Sequence, residues 1–150
     1  PFLARLGPDV LDPTLDAAAV EARLGDRRFA RRTLDALLLD QAFLAGMGNY
    51  LRAEALFEAG IAPGRRPADL GPDERARLAQ ALLDVPRRSY RTRGITPARG
   101  MRRDYIAADD GGFRFHVFDR EGEPCIRCGA SITRTTSAGR RMYACPRCQR

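Results

Sequence analysis

The sequence predicts a mainly α protein that ends in a small β unit pinned by four cysteines. Three observations carry that class. Apolar residues recur at helical spacing through the first part of the chain, most densely over residues 37–60, LLLDQAFLAGMGNYLRAEALFEAG. From Phe113 the pattern turns to alternation, with Phe113, Phe115 and Val117 on one face and Arg114 and His116 on the other. All four cysteines then fall near the end as two C-x2-C pairs, Cys125 with Cys128 and Cys145 with Cys148. The predicted division is a helical domain over 1–94, a linker over 95–112 without clear period, and a cysteine-pinned hairpin over 113–150.

Residues 1–11 are short, mixed and punctuated by Gly7-Pro8, which reads as a lead-in. Asp12-Pro13-Thr14 opens a turn. Asp16 caps a helix running to Leu24, with Leu15 and Val20 as a hydrophobic staple and Gly25 beyond its end. Arg27, Arg28, Arg31 and Arg32 follow as a basic cluster, read as a solvated face. A core helix starts near Thr33, and Leu37, Leu38, Leu39, Ala42, Phe43, Leu44 and Ala45 cover nearly its whole circumference, as expected of a helix packed on every side. Asp40 and Gln41 are the polar residues in that run. Buried, they need partners, and Asp40 is read as a structural brace because no base or nucleophile lies nearby in sequence.

Gly46-Met47-Gly48-Asn49 breaks the run. Its glycines supply backbone angles other residues resist, and Asn49 is placed to cap a second helix from Tyr50 through Leu51, Ala55, Leu56 and Ala59 to Gly60. The bare turn leaves the first N–H groups of that helix open at the positive end of its dipole, where an anion is favoured. A phosphate fits there, the Asn49 oxygen capping the helix and its NH2 donating outward; a plain capped helical hairpin is the alternative. Residues 61–70 form a Pro/Gly/Arg-rich connection, and Gly71-Pro72-Asp73-Glu74 opens another helix with Ala79, Leu82 and Leu83 on its apolar face. Pro86 is expected to kink or end it.

The strand from Phe113 is expected to reach Phe118, with His116, the single histidine, facing solvent. Sixteen residues separate the cysteine pairs. Each pair can point two thiolates at one metal, and four thiolates make a closed tetrahedral zinc site, structural because no position is left for water. Two disulfides in a secreted protein are the alternative, but nothing else in the sequence points to an oxidising compartment. Between the pairs, residues 131–136 and 140–144 read as strands around Ser137-Ala138-Gly139, a unit too small to stand without its metal. Arg140 and Arg141 at the tip, beside Arg134, suit it to reach a nucleic-acid backbone or groove.

The 150 residues carry a formal charge of +7 and a pI near 10.0, and every basic side chain except His116 is arginine. Arginine's planar fork matches phosphate, so this composition favours a polyanionic partner; compositional bias of the source is the alternative. The absence of lysine excludes a lysine Schiff base. No apolar run reaches the length of a membrane span and the start has no signal-peptide pattern, so a cytoplasmic monomer is expected.

Residues 37–52 (LLLDQAFLAGMGNYLR) resemble the helix-two-turn-helix of the formamidopyrimidine-DNA glycosylase/endonuclease VIII family of base-excision repair enzymes, and residues 113–149 resemble its zinc finger. The likeness covers essentially the whole chain and corresponds to the C-terminal half of these enzymes. Gly-Asn-Tyr-Leu-Arg at 48–52 and the segment at 113–118 are closer to the endonuclease VIII branch. The resemblance implies a helix-two-turn-helix bundle followed by a four-cysteine zinc β-hairpin, with Zn held by Cys125, Cys128, Cys145 and Cys148. It further implies that Gly48 and Asn49 meet the phosphates flanking a lesion and that Arg140 grips the backbone at a flipped nucleotide.

The implied partner is double-stranded DNA containing a damaged base or abasic site, and the implied parent activity is a bifunctional glycosylase/AP lyase acting on oxidised pyrimidines. Those enzymes use an N-terminal proline followed by glutamate, on a β-sandwich ahead of the helices. Here Pro1 is followed by Phe2-Leu3-Ala4, so Pro1 is assigned no catalytic role and the chain is expected to bind DNA without chemistry of its own. The rival expectation is a non-enzymatic zinc-ribbon module that docks on protein or RNA. Steep salt dependence on duplex DNA separates the two.

Overall fold

The helix at Asn49–Ala59 (α3) is enclosed on all sides: Leu51, Arg52, Ala53, Glu54, Ala55, Leu56, Phe57 and Ala59 are all buried. The other elements are arranged around it. In chain order they are α1 (Ala17–Leu24), α2 (Leu34–Leu37), α3, a 3-10 turn (Pro67–Asp69), α4 (Pro72–Thr92), the short strands β1 (Ile95–Thr96) and β2 (Phe113–Arg114), and β3 (Thr133–Ser137) and β4 (Arg140–Ala144). The structure, a computed structural model, describes residues 5–92, 95–96 and 113–150. Pro1 and all of the expected linker except Ile95 and Thr96 lie outside the described residues. α3 packs on α4 and β4, and α1 packs on α4. Among the described residues no helix is long and apolar enough to cross a membrane.

α1 forms as its sequence dictates: Asp16 Oδ1 accepts the Ala19 N–H at 2.9 Å, and Val20 and Leu24 are buried. The expected core helix does not extend to Ala45. α2 ends at Leu37, and residues 38–47 fold as successive turns that Asp40 and Gln41 hold open. Asp40 Oδ1 accepts the Ala42 N–H at 2.8 Å, Gln41 Oε1 accepts from Gly46, and Gln41 Nε2 donates to the carbonyls of Leu39 and Met47. Carbonyls that a helix would have used internally are taken by neighbours instead. Arg23 donates to the Phe43 and Ala42 oxygens at 2.8 and 2.9 Å, and Gly7 N–H donates to the Gln41 oxygen at 2.8 Å. A side chain at Gly7 would begin 2.5 Å from the Phe43 carbonyl, so glycine is required there. Asp40 is thus the brace expected of it, paired also with Arg32 at 2.6 Å.

α4 continues past Pro86 to Thr92. A proline inside a helix costs about 3 kcal/mol, and here burial of Leu82, Leu83, Val85 and Pro86 itself outweighs that cost. Arg87 then ties α4 to the lead-in through the Val10, Asp12 and Leu15 carbonyls.

The alternation from Phe113 survives as burial, with Phe113, Phe115 and Val117 inside and Arg114 outside, but only Phe113–Arg114 is strand. β2 pairs in parallel with β1. Beyond it the N–H groups of His116, Val117 and Phe118 turn inward to the Glu54 carboxylate, at 2.8, 2.9 and 2.9 Å. A side-chain acceptor has replaced a strand partner. His116 is accordingly not a plain solvent-facing residue. Its ring stacks on Phe57 at 5.4 Å, and its Nδ1 lies 3.3 Å from Glu54 Oε1. β3 and β4 form the expected antiparallel hairpin, shifted to begin at Thr133. Ala138 and Gly139 both have positive φ, 53° and 74°, the two-residue turn that matches strand twist.

The connection before α4 is closed by Arg65, which pairs with the Glu74 carboxylate, while Glu74 also accepts the Gly71 N–H at 3.0 Å. The Arg65 guanidinium first, and the Gly71 N–H second, hold the Glu74 carboxyl down at about 2 from an ordinary 4.5. A carboxyl depressed in the folded state stabilises fully above its unfolded value and loses that contribution as pH falls through its folded one. The difference in urea midpoint between wild type and Glu74→Gln should therefore be complete at neutral pH, narrow below about 4.5 and close near 2.

Candidate nucleic-acid interface and metal centre

The four cysteines converge at the base of the hairpin. Their sulfurs all lie within 4.8 Å of one another, with Cys125 to Cys148 at 3.8 Å and Cys128 to Cys145 at 3.4 Å. Tetrahedral zinc with bonds of about 2.3 Å holds sulfurs about 3.8 Å apart, so the cluster has the size of a ZnS4 centre, and none of the four is disulfide-bonded. Backbone N–H groups already point at the ligand atoms: Arg127 at Cys125 Sγ, 3.4 Å, and Cys148 at Cys145 Sγ, 3.3 Å. In the protein alone, burial and then the hydrogen bonds with Cys128, Cys125 and Cys145 push the Cys148 thiol up to about 12. A divalent cation at the centre reverses that by deprotonating its ligands.

Gln149 and Arg150 fasten this base to the far end of α3. Gln149 Oε1 accepts the Cys145 N–H at 2.8 Å and its Nε2 donates to Ile61 O at 3.0 Å, while Arg150 N–H donates to Gly60 O at 3.1 Å. Arg127 lies 4.5 Å over the Phe57 ring.

At the other end of α3 the hairpin tip meets the helix start. Gly48 is the N-cap, Asn49 the first helical residue, and no side chain caps the helix. Asn49 therefore does not cap its own helix as expected. Its Oδ1 accepts from Arg52 Nε at 3.0 Å and its Nδ2 donates to the Arg141 carbonyl at 3.1 Å, joining the helix start to the finger. Gly48 has φ −110°, open to any residue, and a Cβ there would meet nothing within 4 Å. The bare position leaves free space directly in front of the helix start.

Arg52, fully buried, adds the main charge. Its Nη1 donates to Asp35 O at 2.5 Å, and its Nη2 is buried without a partner among the described residues. Burial lowers its pKa, Asp35 opposes the shift and the Arg140 charge adds to it, so Arg140 lies within electrostatic reach. Arg140 is exposed, and its side chain has no hydrogen bond or ion pair among the described residues. Arg134 faces Glu121 at 3.5 Å. An open helix start, an under-satisfied guanidinium and an exposed arginine on the adjoining tip together favour a ligand with anionic oxygens.

Gly48, Asn49 and Arg140 are thus brought to one place, and the four cysteines to another. Arg52, Glu54, Arg127 and Gln149 are not singled out by sequence reasoning. The available signal is that Arg52 and Glu54 stand two residues apart on a helix with no room for a polar face.

Residues 6–98 match the formamidopyrimidine-DNA glycosylase H2TH domain, and residues 122–150 match the zinc finger found in FPG and IleRS. The chain belongs to the formamidopyrimidine-DNA glycosylase/endonuclease VIII family. It is 51% identical over 149 residues to Endonuclease 8 of Klebsiella pneumoniae and 50% identical over the same length to Endonuclease 8 of Escherichia coli. In each case 99% of this chain covers 54% of the relative, so the chain spans about half the length of these family members. Its fold superimposes on MutM (Fpg) of Thermus thermophilus with a TM-score of 0.79 at 36% identity, covering 99% of this chain and 55% of that one. It superimposes on Lactococcus lactis Fpg in complex with abasic-site DNA with a TM-score of 0.78 at 25% identity, covering 99% and 54%. The family's zinc finger accounts for the four clustered thiols.

Metal analysis should return one zinc per chain. Stripping it with a chelator should abolish amide protection across β3 and β4 while most of the helical circular dichroism persists.

Proposed function

We propose that this chain is the DNA-binding half of a base-excision repair glycosylase/AP lyase of the endonuclease VIII type, and that it holds duplex DNA with a damaged base or abasic site by its phosphates. The observation that carries the reading is the buried Nη2 of Arg52, without a partner among the described residues, beside an uncapped helix start. A buried donor left unmade costs about 1–3 kcal/mol, and a phosphate at Gly48 and Asn49 would set a negative charge beside this guanidinium, whose Nε already meets Asn49 Oδ1. Asn49 Nδ2 carries two hydrogens, so one remains for phosphate while the other holds the Arg141 carbonyl. Arg140 supplies the second grip on the same strand. Cys125, Cys128, Cys145 and Cys148 are the ligands of the zinc that keeps the finger folded.

Oxidised pyrimidines are the proposed lesion class, supported by about 50% identity to proteins named Endonuclease 8 against 36% to a Fpg. With no lysine in the sequence, no side-chain amine is available for Schiff-base chemistry, and the chain alone is proposed to bind without cutting. Incubation with abasic-site DNA and borohydride should give no covalent adduct; a trapped adduct at Pro1 would overturn that part.

Affinity for an abasic-site duplex should fall steeply with salt, as phosphate neutralisation requires, whereas salt-insensitive or absent binding would favour a protein- or RNA-docking ribbon. Asn49→Ala and Arg140→Ala should each weaken binding by about 1–3 kcal/mol in an anisotropy titration. Gly48→Ala is the sharper test. Its Cβ enters the proposed phosphate space without straining the backbone, so binding should weaken while the thermal midpoint stays unchanged.

A further inference from the structure

Glu54 is 2% exposed, and its carboxylate is engaged entirely by the segment that leads into the finger. Oε1 accepts the His116 N–H at 2.8 Å and faces His116 Nδ1 at 3.3 Å; Oε2 accepts both the Val117 and Phe118 N–H groups at 2.9 Å. Three consecutive backbone donors on one carboxylate leave that stretch little freedom to slide or rotate. Phe118 in turn packs edge-on against Tyr143 of β4 at 5.3 Å and against Tyr50 of α3 at 6.1 Å. A continuous chain of contacts therefore runs from α3 through Glu54 and Phe118 to the strand that begins with Arg140.

We propose that Glu54 is a positioning residue for the phosphate grip: by clamping residues 116–118 to α3 it fixes where the hairpin presents Arg140 relative to Asn49. The inference rests on the DNA-binding reading above. A carboxylate is needed for this task because it offers only acceptors. An amide of the same shape turns one donor toward backbone donors and loses at least one of the three bonds.

The test compares Glu54→Gln, Arg140→Ala and the double variant for affinity toward an abasic-site duplex, with zinc content measured for each. Glu54→Gln should keep its zinc and bind about tenfold more weakly, and adding Arg140→Ala to it should cost less than about twofold, against about tenfold in wild type. Wild-type-like binding by Glu54→Gln, or full additivity with Arg140→Ala, would overturn the proposal. If Glu54→Gln does not fold, Glu54→Asp decides: it keeps the charge and the acceptors but draws the carboxylate back by one methylene from the three N–H donors. A reduced Arg140→Ala penalty in that background supports the clamp, and an undiminished one sinks it. A DNA-free readout separates this inference from its premise. In NMR spectra the Asn49 side-chain NH2, bonded to the Arg141 carbonyl in wild type, should lose protection in Glu54→Gln. Should wild type fail to bind any duplex, the functional reading fails, while retained Asn49 protection in Glu54→Gln would independently refute the clamp.

Discussion

Two charged side chains inside a helix that has no solvent face set the terms for the rest of this fold. Moving a charge out of water costs several kcal/mol even after relaxation, so Arg52 and Glu54 each demand partners. Glu54 is answered in full by three N–H groups, and charge-assisted bonds of about 1.5–3 kcal/mol apiece are enough to offset its burial. Arg52 is answered in part, by Asn49 Oδ1 and the Asp35 carbonyl, with one NH2 left over. The satisfied charge organises structure. The unsatisfied one lies beside the helix start where the proposed phosphate would bind.

The same helix explains why two motifs far apart in sequence come together at one location. The finger lies along α3, its metal base fixed at Gly60 and Ile61 and its tip bonded to Asn49. Eleven helical residues span about 16 Å and five strand residues about the same. Matching lengths let the finger be anchored at one end of the helix and deliver an arginine at the other. The aromatic group of Tyr50, Phe113, Phe115, Phe118 and Tyr143 fills the space between them.

Much of this was legible in the sequence because local chemistry decided it. Cysteine spacing gave the metal cluster, Asp16 the start of α1, Gly60 the left-handed stop of α3 at φ 74°, and Gly48-Asn49 the open helix start. What was not legible depended on partners remote along the chain. The apolar run at 37–45 looked more helical than it is, because the bonds that break it come from Gly7 and Arg23. The helix that is enclosed on all sides was disguised by Arg52 and Glu54, whose charges suggest a wet face until their partners at Asp35 and 116–118 are known. Asn49 reads as a cap from its neighbours alone, yet Arg141, ninety-two positions away, claims its side chain.

The hairpin is a lever with its fulcrum at the thiol cluster. With arms of about 16 Å, a tilt of about 5° at the base would carry the apex about 1.4 Å, comparable with the difference between a made and a broken hydrogen bond. That amplification accounts for the number of fastenings spent on so small an appendage: Gln149, Arg150 and Arg127 at the pivot, and Asn49 at the far end. Stiffness at the pivot is what converts the presence of a metal ion into angular precision at a point it never touches.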